Sequence, residues 1–323
     1  MLGVEARAFR DIEKAGPPEQ TIVRDVTDPT TLGIATNLLG IPLYGYNQVP
    51  SFLRGNPHIT DGYRAHLSTE LCVKSSFIWT NETLNIWSHV LGFLYFSYLF
   101  LEDNFSFLPN NGGTWKDHLV FCSFNLCFQA CMLCSAGYHT FACQSELASR
   151  KWLSIDLAGV SVGLCGCYVP GAYYAFYCDE RWQVIYMIVM LILGLCSVFA
   201  QLHHDFLSSH WYMRRLFLYS AFIFAGMVPV EHWVVQSGGL DSPVVQTLMP
   251  KILVMYVLAT LGGFFYVSKI PERLFPGQVN YIGSSHQWWH LMVVLAFSWA
   301  HHCAVVILTY WRTHPCSAPL LPA

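Results

Sequence analysis

The sequence predicts an all-α protein, a seven-transmembrane helical bundle with a cytosolic N-terminus. Three observations carry that reading: charge is scarce, mean hydropathy is positive, and seven apolar runs are long enough to cross a bilayer. Of 323 residues, 17 are Lys or Arg and 20 are Asp or Glu, so 11% are charged, against about 25% in an ordinary soluble domain. Hydrophobic residues make up 54% of the chain, and the mean hydropathy is +0.39. That composition excludes a disordered regulator, and a formal charge of −3 gives no basic field for nucleic acid.

A helical span needs about 20 mostly apolar residues. Runs of this kind lie at Thr83–Leu101, Leu119–Cys143, Trp152–Cys178, Trp182–Leu202, Leu216–Val235, Ile252–Ser268 and His286–Trp311. There is no internal repeat. The N-terminal segment differs from the rest. Residues 1–40 mix charges with Pro17, Pro18, Pro29 and Gly33 and have no apolar stretch behind a basic start, so no cleaved signal peptide is expected. Ile41 to Leu71, with Pro42, Pro50 and Pro57 among aromatics, reads as a partly ordered approach to the bilayer. The expected division is a partly disordered cytosolic segment over 1–72, a seven-span domain over 73–312 and a short non-cytosolic tail over 313–323.

Orientation follows from the basic residues flanking the spans. Arg64, Lys74, Arg150, Lys151, Arg214, Arg215, Lys269 and Arg273 lie on the N-terminal side; Lys116, Arg181, Lys251 and Arg312 lie on the other. The excess predicts a cytosolic N-terminus, the inverse of a G-protein-coupled receptor. Asn104-Phe105-Ser106 is a glycosylation sequon in the first non-cytosolic loop, close to the membrane. Cys122, Cys127, Cys131, Cys134, Cys143, Cys165, Cys167, Cys196 and Cys303 fall in or beside spans. They lack metal-ligand spacing, and the twelve cysteines are read as packing residues rather than disulfides.

Ionisable residues inside spans are costly and usually mark function. Asp156 and Glu231 are the acidic residues read as lying well inside, and His89, His139, His203, His232, His286, His290, His301 and His302 lie in or beside spans. His286 and His290 are spaced i, i+4, so both rings leave one face of the seventh helix. With alternating spans, the end of the second, the start of the third and the start of the seventh share one side. That side therefore gathers His139, Asp156, His286 and His290. Three imidazoles plus a water form a catalytic zinc site, whereas four filled positions are structural. No cysteine is placed at that depth in the right register, which favours zinc over copper(I).

The expected metal ligands are accordingly His139, His286 and His290, with Zn2+ as cofactor. Asp156 is either a fourth ligand or the base that holds a metal-bound water. Ser135, four residues before His139, shares its face and either meets that water or a substrate carbonyl, or bonds its own backbone. Asn81, Asn85, Ser88 and His89 make a polar face beside these ligands. Glu231, His232 and His301, roughly 22 Å away along the helix axes, are expected to form a separate network near the opposite face.

Several stretches together resemble the progestin and adipoQ receptor family: Asn81 through Gly92, Ser135-Ala136-Gly137-Tyr138-His139, Asp156-Leu157-Ala158-Gly159-Val160, Pro271-Glu272-Arg273 and Gly283 through His290. That family is similar to alkaline ceramidases in its Ser…His, Asp and His-x-x-x-His pattern. The resemblance runs from about Tyr44 to Trp311, and Asn56 through Arg64 with Cys127 through Cys134 narrow it to one branch. It implies seven helices with zinc near the cytosolic face, held by His139, His286 and His290, with Asp156 and Ser135 as the family's aspartate and serine. It further implies residence in the Golgi membrane among membrane lipids, recruitment of Raf kinase through the cytosolic N-terminal region, and damping of Raf–MEK–ERK signalling. A zinc-dependent hydrolase of ceramidase type and a lipid or hormone receptor are the alternatives; no nucleic-acid partner is expected.

Overall fold

A computed structural model of the chain describes residues 39–201 and 205–316. The tail over residues 1–40, except its last two residues, lies outside the described residues, as do Leu202, His203 and the end of the C-terminal tail. A short helix, α1 (Thr69–Ser75), precedes seven helices long and apolar enough to cross a membrane. These are α2 (Thr83–Asn110), α3 (Trp115–Phe141), α4 (Glu146–Ala175), α5 (Glu180–Ala200), α6 (Tyr212–Gln236), α7 (Pro243–Ser268) and α8 (Ser285–Thr313).

Several helices begin earlier than their apolar runs: α3 at Trp115, α4 at Glu146 and α7 at Pro243. Polar first turns explain this, because they carry caps for the free N–H groups of a helix start. Thr114 and Asp117 form a reciprocal capping box at α3, and Ser145 accepts from Ala148 N at α4. α6 is broken at Gly226, where Pro229 removes an N–H. The Tyr168 hydroxyl fills the gap, donating to the Phe222 and Ile223 carbonyls at 2.9 and 2.8 Å. Gly226 admits that ring, since a Cβ there would meet Tyr168 Cε1 at 2.2 Å.

Without a hydrophobic effect between helices in lipid, close packing of small residues holds them together. Along α4, Gly159, Gly163 and Gly166 let the backbone approach Cys134, Phe297 and Cys127. Behind them lies an aromatic core in which Phe128 stacks on Phe297 at 4.3 Å between ring centroids.

Three sequence expectations change at the end of the bundle remote from the N-terminal segment. First, α2 continues beyond Leu101 through a π-helical turn, Asp103–Phe107, and this turns Asp103 inward to zero exposure. Asp103 accepts from Asn125 Nδ2 at 2.8 Å and lies 2.9 Å from His301 Nε2. His301 thus joins Asp103 and not Glu231 and His232: Glu231 is exposed, and His232 Nδ1 lies 2.9 Å from the Tyr186 hydroxyl. Second, Cys178 and Cys316 form a disulfide, so cysteine is not confined to packing. Nearby, Asp117 pairs with Arg312 and accepts from the Tyr174 hydroxyl. Third, Asn104 lies within the π-helical turn, not in a loop. Its amide donates to Phe100 O at 2.8 Å and its oxygen meets His118 Nδ1 at 2.8 Å.

At the other end, Leu39 to Asn81 folds back as a cap. Tyr44 and Tyr63 pair backbone to backbone at 2.9 and 3.0 Å. The cap then grips the loop between α7 and α8: Gly277 N donates to His58 O, Thr60 N to Asn280 Oδ1, and Asn56 Nδ2 to Glu272 Oε1. Residues 41–71 are therefore ordered against the helices, and α1 runs through the expected 72/73 division.

Two outcomes test this packing. Gly163→Val should lower stability by about 1–3 kcal/mol through overpacking against Phe297, seen as a lower Tm in detergent; an unchanged Tm would contradict the close α4–α8 contact. Asn104→Gln should leave electrophoretic mobility and glycosidase sensitivity unchanged, because the amide is engaged inside a helix. A mobility shift on substitution would show that the acceptor is free.

Candidate metal centre

The last turn of α3 carries His139, and the first two turns of α8 carry His286 and His290. The fold supplies both ends deliberately. A Ser284–Gln287 capping box starts α8, and the buried Glu272 carboxylate accepts from Ser285 N at 2.7 Å and from the Ser285 hydroxyl. Arg64 donates to the His139 carbonyl and to Ser75 Oγ, each at 2.6 Å. The cap thus holds the end of α3 while Glu272, itself tied to Asn56, holds the start of α8.

One ring nitrogen from each of the three histidines lies within 4.8 Å of the others, and the group could hold a metal ion. His139 Nε2 and His286 Nε2 are 3.3 Å apart. Tetrahedral zinc with Zn–N bonds of about 2.0–2.1 Å holds neighbouring nitrogens about 3.3–3.4 Å apart, so this pair is spaced for such an ion. The far nitrogens also fit. His139 Nδ1 lies 2.7 Å from Glu82 Oε2, and His290 Nδ1 lies 3.1 Å from the Asn85 carbonyl. Both partners only accept, so each ring donates from Nδ1 and keeps its Nε2 lone pair for the centre. His139 and His290 are buried, 3% and 1% exposed, which keeps competing water away.

Glu82 stands just before α2. Burial works against its charge, but the His139 ring and the Asn85 amide outweigh this and hold its carboxyl below the usual carboxylate range. It is the anion that would balance a cation held in this pocket, and it also accepts from Asn85 Nδ2 at 2.7 Å. The polar face of α2 is used as a support: Ser88 Oγ lies 3.2 Å from His290 Nδ1, and His89 stacks on the His290 ring at 3.8 Å. Among the described residues, Asp156 is not part of the three-histidine group. It lies within Coulombic range of His139, with the Ser135 hydroxyl as hydrogen-bonding neighbour.

Sequence reasoning did not assign roles to Glu82, Arg64 or Glu272, although all three lie in the stretches that carry the family resemblance. An acidic residue inside the polar stretch Asn81–Asn85–Ser88 is the signal that could have found Glu82. Arg64 and Glu272 act through contacts 75 and 13 residues away in sequence, which no local pattern reveals.

Replacing Glu82 by Gln should leave the three ligands in place but loosen the metal by about 10–100-fold, the usual effect of losing a carboxylate behind a histidine ligand. Competition with a chromophoric zinc chelator measures this. Equal affinity in Glu82→Gln and the parent would remove Glu82 from the site.

Comparison with known proteins agrees with the geometry. The family model described as Haemolysin-III related matches residues 77–302. The chain is 48% identical over 279 residues to human progestin and adipoQ receptor family member 3, covering 86% of this chain and 89% of the human protein. The mouse protein of the same name is as similar. It is also 30% identical over 281 residues to heptahelical transmembrane protein 1 of Arabidopsis thaliana, covering 84% of this chain and 82% of the plant protein. A Haemolysin-III related match across most of the spans, near-half identity to member 3 and seven membrane-length helices converge: the chain is a multi-pass membrane protein of the progestin and adipoQ receptor family.

Proposed function

We propose that this chain resides in the Golgi membrane, holds one zinc ion through His139, His286 and His290, and sequesters Raf kinase at the cytosolic face, damping Raf–MEK–ERK signalling. The observation that carries the tether reading is the 48% identity to family member 3 across 86% of the chain. Zinc is supported by the 3.3 Å nitrogen spacing and by the acceptors that fix the His139 and His290 tautomers. A cytosolic N-terminus is supported by the basic residues flanking the spans. It is supported independently by the Cys178–Cys316 disulfide at the opposite end, since such bonds persist in oxidising compartments.

Held by His139, His286 and His290, zinc would supply Lewis-acid chemistry there. The chain's own residues set the frame: Glu82 and the Asn85 carbonyl orient two rings, Arg64 and Glu272 fix the two helix ends, and membrane lipid surrounds the rest. A second reading, a hydrolase of ceramidase type, is favoured by one observation. Asp156, with Ser135 beside it, lies within Coulombic range of His139 without belonging to the ligand set, and so is placed to take up or hand on a proton.

The folded cap dictates how the tether is tested. Truncation must stop before Leu39, because residues from there onward build the ends of α3 and α8. Deleting residues 1–38 should abolish Raf recruitment in cells lacking the parent protein, while Golgi location and zinc content stay unchanged; undiminished recruitment would contradict the tether. His286→Ala/His290→Ala should lose zinc yet recruit normally when present at the Golgi in equal amount. Loss of damping in that variant would instead favour chemistry at the metal.

A further inference from the structure

We propose that Cys72 and Cys143 are an oxidation site, a thiol pair that a hydroperoxide converts to a disulfide tying the cap to the end of α3. Cys72 lies in α1 and Cys143 two residues beyond α3, yet their sulfurs are 3.5 Å apart. Both are buried, at 0% and 4% exposure, among Ile41, Leu67 and Ile78. Among the described residues the pair belongs to no metal-ligand group, so coordination does not account for it. A disulfide requires about 2.05 Å between sulfurs, so the two must close by about 1.5 Å. One of them sits on a seven-residue helix in the cap.

The pair is also chemically unequal. A hydrogen bond from Cys72 lowers the pKa of the Cys143 thiol; burial opposes this and the Arg64 guanidinium reinforces the lowering. Cys143 is therefore the attacking sulfur. Its thiolate displaces alkoxide from the hydroperoxide oxygen, forming a sulfenic acid and, once the alkoxide takes the first thiol's proton, an alcohol. The Cys72 sulfur then attacks that sulfur, and hydroxide leaves with the Cys72 proton as water. Two thiols lose two electrons in all, and the hydroperoxide gains them as alcohol and water.

The bond has a route to the metal centre. The Cys72 carbonyl accepts from Ser75 Oγ at 2.7 Å, Ser75 Oγ accepts from Arg64 at 2.6 Å, and Arg64 holds the His139 carbonyl at 2.6 Å. Drawing Cys72 toward Cys143 disturbs the backbone of a histidine in the cluster. This consequence rests on the zinc reading; the disulfide does not.

The test treats the purified full chain with hydrogen peroxide, blocks remaining thiols with N-ethylmaleimide, and searches digests for a linked Cys72–Cys143 peptide while a chelator reports zinc release. The expected result is a linked peptide, reversed by dithiothreitol, with zinc release several-fold faster than before oxidation. Cys143→Ser should show neither effect. Separate alkylation of both cysteines after peroxide, in protein that keeps its untreated elution profile and helicity, would overturn the proposal. A linked peptide with unchanged zinc release would overturn the connection to His139. Protein that carries no zinc before treatment but forms the linked peptide would refute the zinc reading alone and leave the oxidation site standing.

Discussion

Leaving a buried imidazole nitrogen without a partner is costly, and at the edge of a bilayer water cannot be relied on to supply one. Three imidazoles, two buried and one half-buried, with one nitrogen of each within 4.8 Å of the others, concentrate that cost in one place. The chain meets part of it with protein acceptors: Glu82 for His139 and the Asn85 carbonyl for His290. What remains is a set of inward lone pairs with 3.3 Å between two of them, an arrangement that a divalent cation satisfies and that neutral rings alone leave uncomfortable. Much of the architecture at this end of the bundle serves that demand.

The cap is the clearest consequence. Seven apolar helices could pack through Gly159, Gly163 and Phe297 without it. They could not, by themselves, hold the last turn of α3 against the first turns of α8. Arg64 does so from the cap side by holding the His139 carbonyl. Glu272 does so from the loop side by capping Ser285, and Asn56 joins the two. Because Ser75 and Cys72 lie behind Arg64, the same contacts that set the histidine geometry expose it to events in the cap. The opposite end is built differently, with Asp103–His301, Asp117–Arg312 and a disulfide.

How much of this was legible in the sequence follows from the range of each interaction. The spans are legible because hydrophobicity is a property of consecutive residues, and the i, i+4 spacing of His286 and His290 is local too. His139 joins them by alternation of spans alone. Asp103 was hidden because a π-helical turn, not a pattern of apolar residues, brings it inward past the expected end of its span. The Cys178–Cys316 bond was hidden because its partners lie 138 residues apart, and cysteine in an apolar chain reads as packing. The cap was legible only as something other than a tail. Its order comes from polar contacts to a loop more than 200 residues away, which composition does not encode.

The central claim is that three imidazole nitrogens hold zinc at the end of α3 and the start of α8. X-ray absorption at the zinc edge, on the full chain purified without added metal or chelator, tests it most directly. About one zinc per chain is expected, with nitrogen and oxygen neighbours at about 2.0–2.1 Å and the multiple-scattering signature of histidine rings. Sulfur neighbours at about 2.3 Å, or a folded chain free of metal that does not take up zinc, would contradict it.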